Sequence, residues 1–449
     1  MNAPRLSLWQ RLRGNLAFLP AAALSIGVLS GLLMSELEAP LRSRLPDLPG
    51  LLSGAESARA ALTAIATSSL TIAALAVSLT LAVLTHAGAQ YSPRVLKTFM
   101  RDPTSQASIG LLLAVHAYSL VVMRNLDAAA GAPQYAASLG VLAGFVSVAM
   151  LIYYLHHVAS SLRASHVVAA IADETEALLN AQQEQTERSV QRQQLRWPSS
   201  DDEAQDIAAA ATGYLASVDL DVLDEVAHAA GAFIRVERSL GGFVMQGEPL
   251  AKVWPPQAAA ALRAKILDAL PLGDHPECDQ DAYSGIGQLV DLALRALSPG
   301  LNDPHSACLA IDRLGVLLCR QARIDRRLRD APPGEGRHGR VVLQRRQVTD
   351  LVRLSFDPLR QAAGGQSKVF HRLMQAIERL LLEAEGDQPL ITLLSEQLDA
   401  VGEAINSQIR SPYDRAPQLA SLRALNIQVQ RMADPATRRT SAAGPAAPT

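Results

Sequence analysis

An apolar stretch without a charged side chain, AALTAIATSSLTIAALAVSLTLAVLT, spans residues 60–85. A helix of about 20 apolar residues crosses the roughly 30 Å hydrocarbon layer of a bilayer. Residues 60–85 therefore predict a transmembrane helix. The rest of the chain decides whether this helix stands alone or belongs to a bundle.

Three more apolar stretches lie in the first third of the chain, at residues 15–34, 107–123 and 135–155. The stretch at 107–123 is the weakest of them because it contains His116. Basic residues before the first stretch are also typical of a signal peptide, but the stretch is long and a poor cleavage pattern, Ala39-Pro40, follows it. We therefore predict four uncleaved spans within residues 1–165.

Positive charges predict the orientation of these spans, since cytoplasmic loops carry an excess of Lys and Arg. Seven basic residues fall on one side of a four-span arrangement, namely Arg5, Arg11, Arg13, Arg94, Lys97, Arg101 and Arg163. Four fall on the other side, namely Arg42, Arg44, Arg59 and Arg124. This bias favours a bacterial inner-membrane protein with both termini in the cytoplasm.

The composition of the whole chain fits a membrane part followed by a soluble part. Of its 449 residues, 49% are hydrophobic and only 19% are charged, against about 25% charged in typical soluble domains. A net charge of −2 does not indicate a nucleic-acid partner. The three cysteines have no metal-binding spacing, and we expect reduced thiols at Cys278, Cys308 and Cys319.

Hydroxyl side chains recur along one stripe of the second span, at Thr67, Thr71, Ser78 and Thr85. Small hydroxylated residues let membrane helices pack closely, and they can also line a water-filled path. Both interpretations remain open. The same holds for His116 in the third span and His86 after the second, because an ionisable residue in a membrane can be functional or simply hydrogen-bonded to a neighbouring helix. For His156, His157 and His166 after span four, we expect solvated imidazoles at the interface.

The soluble part is predicted to be α+β. A polar helix at 166–200 connects it to the membrane, a β-rich module spans 201–256, a helical domain spans 257–432, and the tail at 433–449 is predicted to be disordered. The module resembles a barrel-sandwich hybrid, although Lys252 does not lie at a hairpin tip as a carrier lysine would. Its predicted strands are 213–218, 232–237, 243–245 and 250–254, around a short helix at 222–230.

Apolar residues at spacings of three and four predict the remaining helices. These are 256–270, 281–297, 304–320, 346–363, 368–385, 389–408 and 417–432. The predicted fold class is therefore mainly α, with a four-helix transmembrane region followed by a cytoplasmic α+β part.

One corner between two of these helices concentrates turn chemistry, in ALRALSPGLNDPHSA at residues 293–307. Ser298, Pro299 and the following glycine stop a helix, Asn302 favours an Asx turn, and Asp303 before Pro304 is a typical helix start. The alternative is a binding site that joins this corner to the acidic residues before the preceding helix. That helix would separate the two groups by about 24 Å. The residues of this alternative site are Asp279, Asp281, Asn302, Asp303 and His305.

The chain contains no P-loop, GxSxG, HExxH or helix-starting GxGxxG motif. We therefore expect no enzyme activity, no cofactor and no resident metal. The GIG at 285–287 lies within a helical pattern, where close helix packing explains it.

Five segments occur in an order that resembles the bacterial DUF2254 family of predicted membrane proteins, over about residues 16–432. The resemblance implies an inner-membrane protein and brings no list of catalytic residues. Its segments are QYSPRVLKTFMRD, GYLASVD, GGFVMQGEPLAKV, DQDAYSGIGQLVDLALRALSPGLNDPHSACLAIDRL and LVRLSFDPLRQAA.

These observations favour a channel- or transporter-like homo-oligomer in the lipid bilayer, with a cytoplasmic regulatory domain. The alternative is a membrane-anchored interaction or signalling protein that binds a cytosolic protein partner without transporting anything. A membrane enzyme acting through the corner residues is the third possibility.

Overall fold

The computed structural model describes two compact units, which meet in sequence between Val167 and Val168. The predicted tail beyond residue 433 lies outside the described residues. Those residues are 17–44, 55–90, 102–125, 134–161, 163–190, 198, 203–275, 282–330, 340–344 and 346–433.

The first unit is a bundle of four helices. Each is long and apolar enough to cross a bilayer, which confirms the four predicted spans. The helices are longer than the apolar stretches that predicted them, because flanking polar residues continue the helical backbone. They are α1 (Phe18–Arg44), α2 (Ala55–Gln90), α3 (Pro103–Asn125) and α4 (Gln134–Ser161).

The third helix is the central one and contacts the other three. In its most apolar stretch 56% of the residues are buried, against 11–22% in the other spans. Polar side chains at Gln106, Ser108 and Ser119 lie inside the bundle rather than facing lipid. The span with the weakest apolar character is therefore the one that its neighbours enclose most completely.

Small residues bring α1 and α3 into close contact. A Cβ atom at Gly27 would overlap the carbonyl oxygen of Ala114, and one at Gly31 would lie 2.9 Å from the Cβ of Val121. On the α3 side, a Cβ at Gly110 would lie 2.9 Å from an α1 side chain. Residues 23, 27 and 31 of α1 contact residues 110, 114 and 121 of α3 in the same order, so the two helices run parallel. Glycines four residues apart allow this approach of two membrane helices.

The second unit begins in α5 (Ala164–Val190), whose start belongs to the sequence of the first unit. A small module of two sheets follows, with strand orders β1-β5-β3-β7 and β4-β2-β6. Its core is a set of buried aliphatic side chains that includes Ile207, Leu215 and Ile234. The elements are β1 (Gln205–Ala208), β2 (Gly213–Leu215), α6 (Leu220–Ala229), β3 (Phe233–Val236), β4 (Phe243–Val244), β5 (Pro249–Trp254), α7 (Pro256–Ala269), β6 (Leu272–Gly273) and β7 (Val341–Leu343).

Two of these strands, β6 and β7, lie C-terminal to the last strand that the sequence predicted, residues 250–254. β6 pairs antiparallel with β2, and β7 pairs in parallel with β3. A long, mainly helical segment separates β7 (Val341–Leu343) from β5 (Pro249–Trp254) in the sequence. Residues far along the chain therefore complete the β-rich module.

The remaining helices confirm the predicted ones within a few residues, with two extensions. The helix after the corner continues to Asp330, and the last helix begins at Pro412 and contains Pro417. Gly285 packs against the side chain of Thr175 in α5, which explains the glycine in the GIG segment. These helices are α8 (Ala282–Ala296), α9 (Pro304–Asp330), α10 (Val348–Ala362), α11 (Ser367–Glu383), α12 (Gln388–Gln408) and α13 (Pro412–Ala433).

Candidate functional site

The hydroxyl stripe of α2 faces outward from the four-helix unit. Thr67, Thr71, Ser78 and Thr85 are all exposed. The opposite face of α2 is the one that packs inside the unit, and its buried residues include Ala66, Ser69, Ala73, Ala76 and Thr80. The stripe therefore packs against none of the four helices that the structure describes in this unit. As a packing face, it would have to meet a surface outside these four helices.

Three of the four hydroxyl groups of this stripe donate their hydrogens within α2. Thr71, Ser78 and Thr85 each donate to the backbone carbonyl oxygen four residues earlier, at 2.9 Å. This bond is common for Ser and Thr in membrane helices. It leaves the oxygen lone pairs directed away from the helix axis, so the outer face of α2 presents hydrogen-bond acceptors.

His116 does not join this stripe. Its Nδ1 atom lies 2.9 Å from the carbonyl oxygen of Ala66, which belongs to the buried face of α2. A carbonyl oxygen only accepts, so Nδ1 is the donor of this bond. The structure thus separates two features that the sequence analysis grouped together. The side chain of His86 lies outside the described residues.

Ser119 is a buried polar residue that sequence reasoning missed. Its side chain is fully buried, and its Oγ atom has no hydrogen-bond partner in the described part of the chain. It lies three residues after His116, which places both side chains on one face of α3.

At one end of the bundle, Asp102 joins two helices. Its carboxylate caps the N-terminus of α3 by accepting from the backbone N–H groups of Thr104 and Ser105, and from the Ser105 hydroxyl at 2.6 Å. The Nε2 atom of His157 in α4 lies 2.8 Å from the same carboxylate. Burial raises the pKa of Asp102, but the hydrogen bonds from Ser105 and His157 outweigh it and hold the pKa below its usual value. His157 is therefore paired rather than solvated as predicted, whereas His156 and His166 are exposed.

At the other end, Glu38 of α1 caps the N-terminus of α4. Its two carboxylate oxygens accept from the backbone N–H groups of Tyr135 and Ala136, at 3.1 and 3.0 Å. Tyr118 of α3 donates its hydroxyl to the carbonyl oxygen of Ala136 at 2.8 Å. A negative charge at a helix N-terminus is stabilised by the helix dipole and by the unpaired N–H groups. Glu38 thus fixes the start of α4 against α1 and α3.

In the second unit, the corner at residues 298–304 has the geometry of a helix–turn–helix connection. Ser298 donates its hydroxyl to the carbonyl oxygen of Arg295, and Asn302 adopts a left-handed backbone conformation with φ of 45°. The side-chain oxygen of Asn302 accepts from Gln366 at 3.2 Å. Pro299 lies in the turn, and Pro304 is the first residue of α9.

Asp303 caps α9 in the same way that Asp102 caps α3. Its carboxylate accepts from the backbone N–H groups of His305 and Ser306 and from the Ser306 hydroxyl. Burial raises the pKa of Asp303, but these hydrogen bonds outweigh it and lower the pKa below its usual value. The carboxylate is thereby occupied by its own helix. Asp279 and Asp281, the other half of the alternative binding site, lie outside the described residues.

Two thiols of the second unit are buried. Burial raises the pKa of Cys308, and it raises the pKa of Cys319 to about 11. Such thiols are protonated at neutral pH and react slowly. No group of three His, Cys, Asp or Glu side chains within the described ranges is arranged to hold a metal ion. Cys278 is outside those ranges.

Comparison with known proteins places the chain among predicted membrane proteins. A family model described as a predicted membrane protein, DUF2254, matches residues 13–379. The uncharacterized proteins Mb1321c of Mycobacterium bovis and Rv1290c of Mycobacterium tuberculosis are each 29% identical to this chain over 323 residues. These matches cover 70% of this chain but 61% of each mycobacterial protein, less than two thirds of their length. No solved structure matches this chain.

Proposed function

Because this chain belongs to the DUF2254 family of predicted membrane proteins, we propose that it forms a channel- or transporter-like homo-oligomer in the bacterial inner membrane. In this proposal the outer face of α2 lines the conducting path. The second unit is cytoplasmic and regulates or assembles the oligomer.

The observation that carries the proposal is the outward-facing stripe of Thr67, Thr71, Ser78 and Thr85. The outer faces of α1 and α4 expose bulky side chains such as Leu29, Phe145 and Ile152, and α2 also exposes Leu75 and Leu81 beside the stripe. Bulky aliphatic and aromatic faces suit contact with lipid. A row of hydroxyls suits contact with water or with another protein surface.

The chemistry of the stripe favours cations. The hydroxyl hydrogens of Thr71, Ser78 and Thr85 are held by backbone carbonyls, so the outward groups are oxygen lone pairs. Oxygen acceptors replace the hydration shell of a cation. One chain offers only one such face, and a water-filled path needs the α2 helices of several copies around a common axis.

The orientation in this proposal follows from the basic residues. Arg94, Lys97 and Arg101 between α2 and α3 and Arg163 after α4 are placed on the cytoplasmic side. The second unit, which follows α4, is then cytoplasmic. Labelling of single cysteines introduced at Arg44 and Arg163, in cells with a membrane-impermeant maleimide, tests this orientation from both sides of the membrane.

The test of conduction is cation flux in proteoliposomes that contain the purified full-length protein. We expect flux from the parent chain and its loss in the Thr71→Leu, Ser78→Leu double variant. The matched control is Ser25→Leu on α1, because Ser25 is also exposed and also donates to the carbonyl oxygen four residues earlier, at 3.0 Å. This control should conduct like the parent.

Equal flux from the double variant and the control would contradict a path along α2. Absence of flux from folded, oligomeric parent protein would favour the alternative, a membrane-anchored interaction protein. Pull-down with the full-length chain in detergent would then test for a cytosolic partner. We assign no catalytic role to Asp303, because its carboxylate is engaged with its own helix.

A further inference from the structure

We propose that His116 and Ser119 form a proton-binding site inside the four-helix unit, where α3 packs against α2. The site goes beyond the proposed conduction path, because it lies on the buried side of α2 and the hydroxyl stripe lies on the exposed side. It takes up one proton on the Nε2 atom of His116, and no other bond forms or breaks.

The hydrogen bond between Nδ1 of His116 and the carbonyl oxygen of Ala66 sets the tautomer of the imidazole. Nδ1 lies 2.9 Å from the carbonyl oxygen of Ala66, so Nδ1 carries a hydrogen in the neutral imidazole. Nε2 then has a free lone pair. No hydrogen bond joins Nε2 to any residue in the part of the chain that the structure describes, and the His116 side chain is only partly buried. Nε2 is therefore the ring atom that can accept a proton.

Ser119 is the other residue of the proposed site. Its Oγ is fully buried and unpartnered within the described ranges, although a buried hydroxyl without a partner costs free energy. Residues three apart on a helix have Cβ atoms about 5–6 Å apart. The Ser119 hydroxyl can thus meet Nε2 of His116 directly or through one water. Either arrangement satisfies both groups, and the protonated ring would donate at both ends, to Ala66 and toward Ser119.

The charged residue nearest to Ala66 along α2 is Arg59, seven residues earlier, or about 10 Å along the helix. The α2 face opposite the proposed site consists of small residues such as Ala66 and Ser69, and α1 contacts the other side of α3 through Gly27 and Gly31. Tyr118 is the nearest titratable group along α3, and its hydroxyl is directed to α4.

Four carboxylates of the described bundle residues, Glu36, Glu38, Glu56 and Asp102, lie toward the ends of their helices. Asp102 is 14 residues before His116, or about 21 Å at 1.5 Å per residue, and it pairs with His157. Glu38 caps the start of α4. The bound proton is therefore stabilised by neutral dipoles rather than by a counter-ion.

The test is ¹⁵N nuclear magnetic resonance of the full-length, histidine-labelled protein in lipid nanodiscs from about pH 4 to 9. The His116→Gln variant assigns the His116 signals. We expect Nδ1 to remain protonated throughout and the Nε2 signal to move with pH. A His116 ring whose signals do not change over this range would overturn the proposal.

A matched pair of serine variants tests the role of the hydroxyl. Ser119→Ala should change the midpoint of the His116 titration, because it removes the hydroxyl on the same face of α3. Ser108→Ala removes a buried hydroxyl that already donates to the carbonyl oxygen of Thr104 at 2.7 Å, and it should leave the midpoint in place. Equal midpoints in both variants would exclude Ser119 from the site. This readout does not involve ion flux, so either proposal can fail without the other.

Discussion

The Nε2 atom of His157 lies 2.8 Å from the Oδ2 atom of Asp102, and this contact ties the end of α4 to the start of α3. The same carboxylate oxygen also accepts from Ser105. One acidic side chain therefore serves both as a helix cap and as a link between two spans. Its removal should affect the bundle more than the loss of a surface ion pair would.

We expect Asp102→Ala to destabilise the four-helix unit by about 1 kcal/mol, the usual cost of losing a helix cap. Because the folded pKa of Asp102 is lowered, its contribution is present above the unfolded value of about 3.9 and is lost as the pH falls through the folded pKa. Denaturant unfolding in detergent at several pH values measures this dependence. Glu36→Gln, on the exposed side of α1, should change neither the stability nor its pH dependence.

The contact between α1 and α3 predicts an unusual effect of alanine. Gly→Ala in a helix normally stabilises it by up to about 1 kcal/mol, but a Cβ at Gly27 would overlap the backbone of Ala114. We expect Gly27→Ala to destabilise the unit by about 1–3 kcal/mol, the usual cost of overpacking. Ala22→Leu on the exposed face of α1 is the control. A more stable Gly27→Ala protein would contradict the close approach.

The backbone at Asn302 predicts an order among substitutions. Its φ of 45° lies in the left-handed region, which glycine adopts readily and β-branched residues strongly disfavour. Asn302→Val should therefore lower the thermal stability of the second unit more than Asn302→Gly does. Both variants lose the hydrogen bond from Gln366, so the difference between them isolates the backbone effect. Equal losses would argue against this conformation.

The buried thiols predict slow chemical labelling. Burial raises the pKa of Cys319 to about 11 and also raises that of Cys308, and the thiolate is the reactive form. In a Cys278→Ser background, iodoacetamide at neutral pH should label neither thiol of the folded protein and both after denaturation. Rapid labelling of the folded protein would show that this helical core opens readily.

Local sequence signals predicted the elements well. Apolar length identified the four spans, spacings of three and four identified the later helices, and Asp303-Pro304 identified the start of α9. The same Asp-Pro-x-Ser pattern occurs at Asp102 to Ser105 and forms the same cap, yet the sequence analysis used it only once. The partner of Asp102, His157, is 55 residues away. No local sequence pattern indicates that these two residues pair.

Features that depend on contacts between residues distant in sequence were not predicted. Periodicity identified the hydroxyl stripe of α2 but could not show that it faces outward, because both faces of the helix contain small residues. The strand β7 has only three residues and gains its stability from pairing with β3. The hydrogen bond from His116 to a backbone carbonyl carries no sequence pattern at all.

The burial of α3 by its neighbours has a consequence for the insertion of the newly made chain into the membrane. Its mean hydropathy of 1.6 is the lowest of the four spans, and its buried side chains include Gln106, Ser108 and Ser119. A nascent α3 released alone into lipid would expose these groups where no water can solvate them. The ribosome delivers α1 and α2 first, and these helices provide the surfaces that cover α3. Insertion of the third span is thus a joint event of several helices, and its efficiency depends on the chain that precedes it.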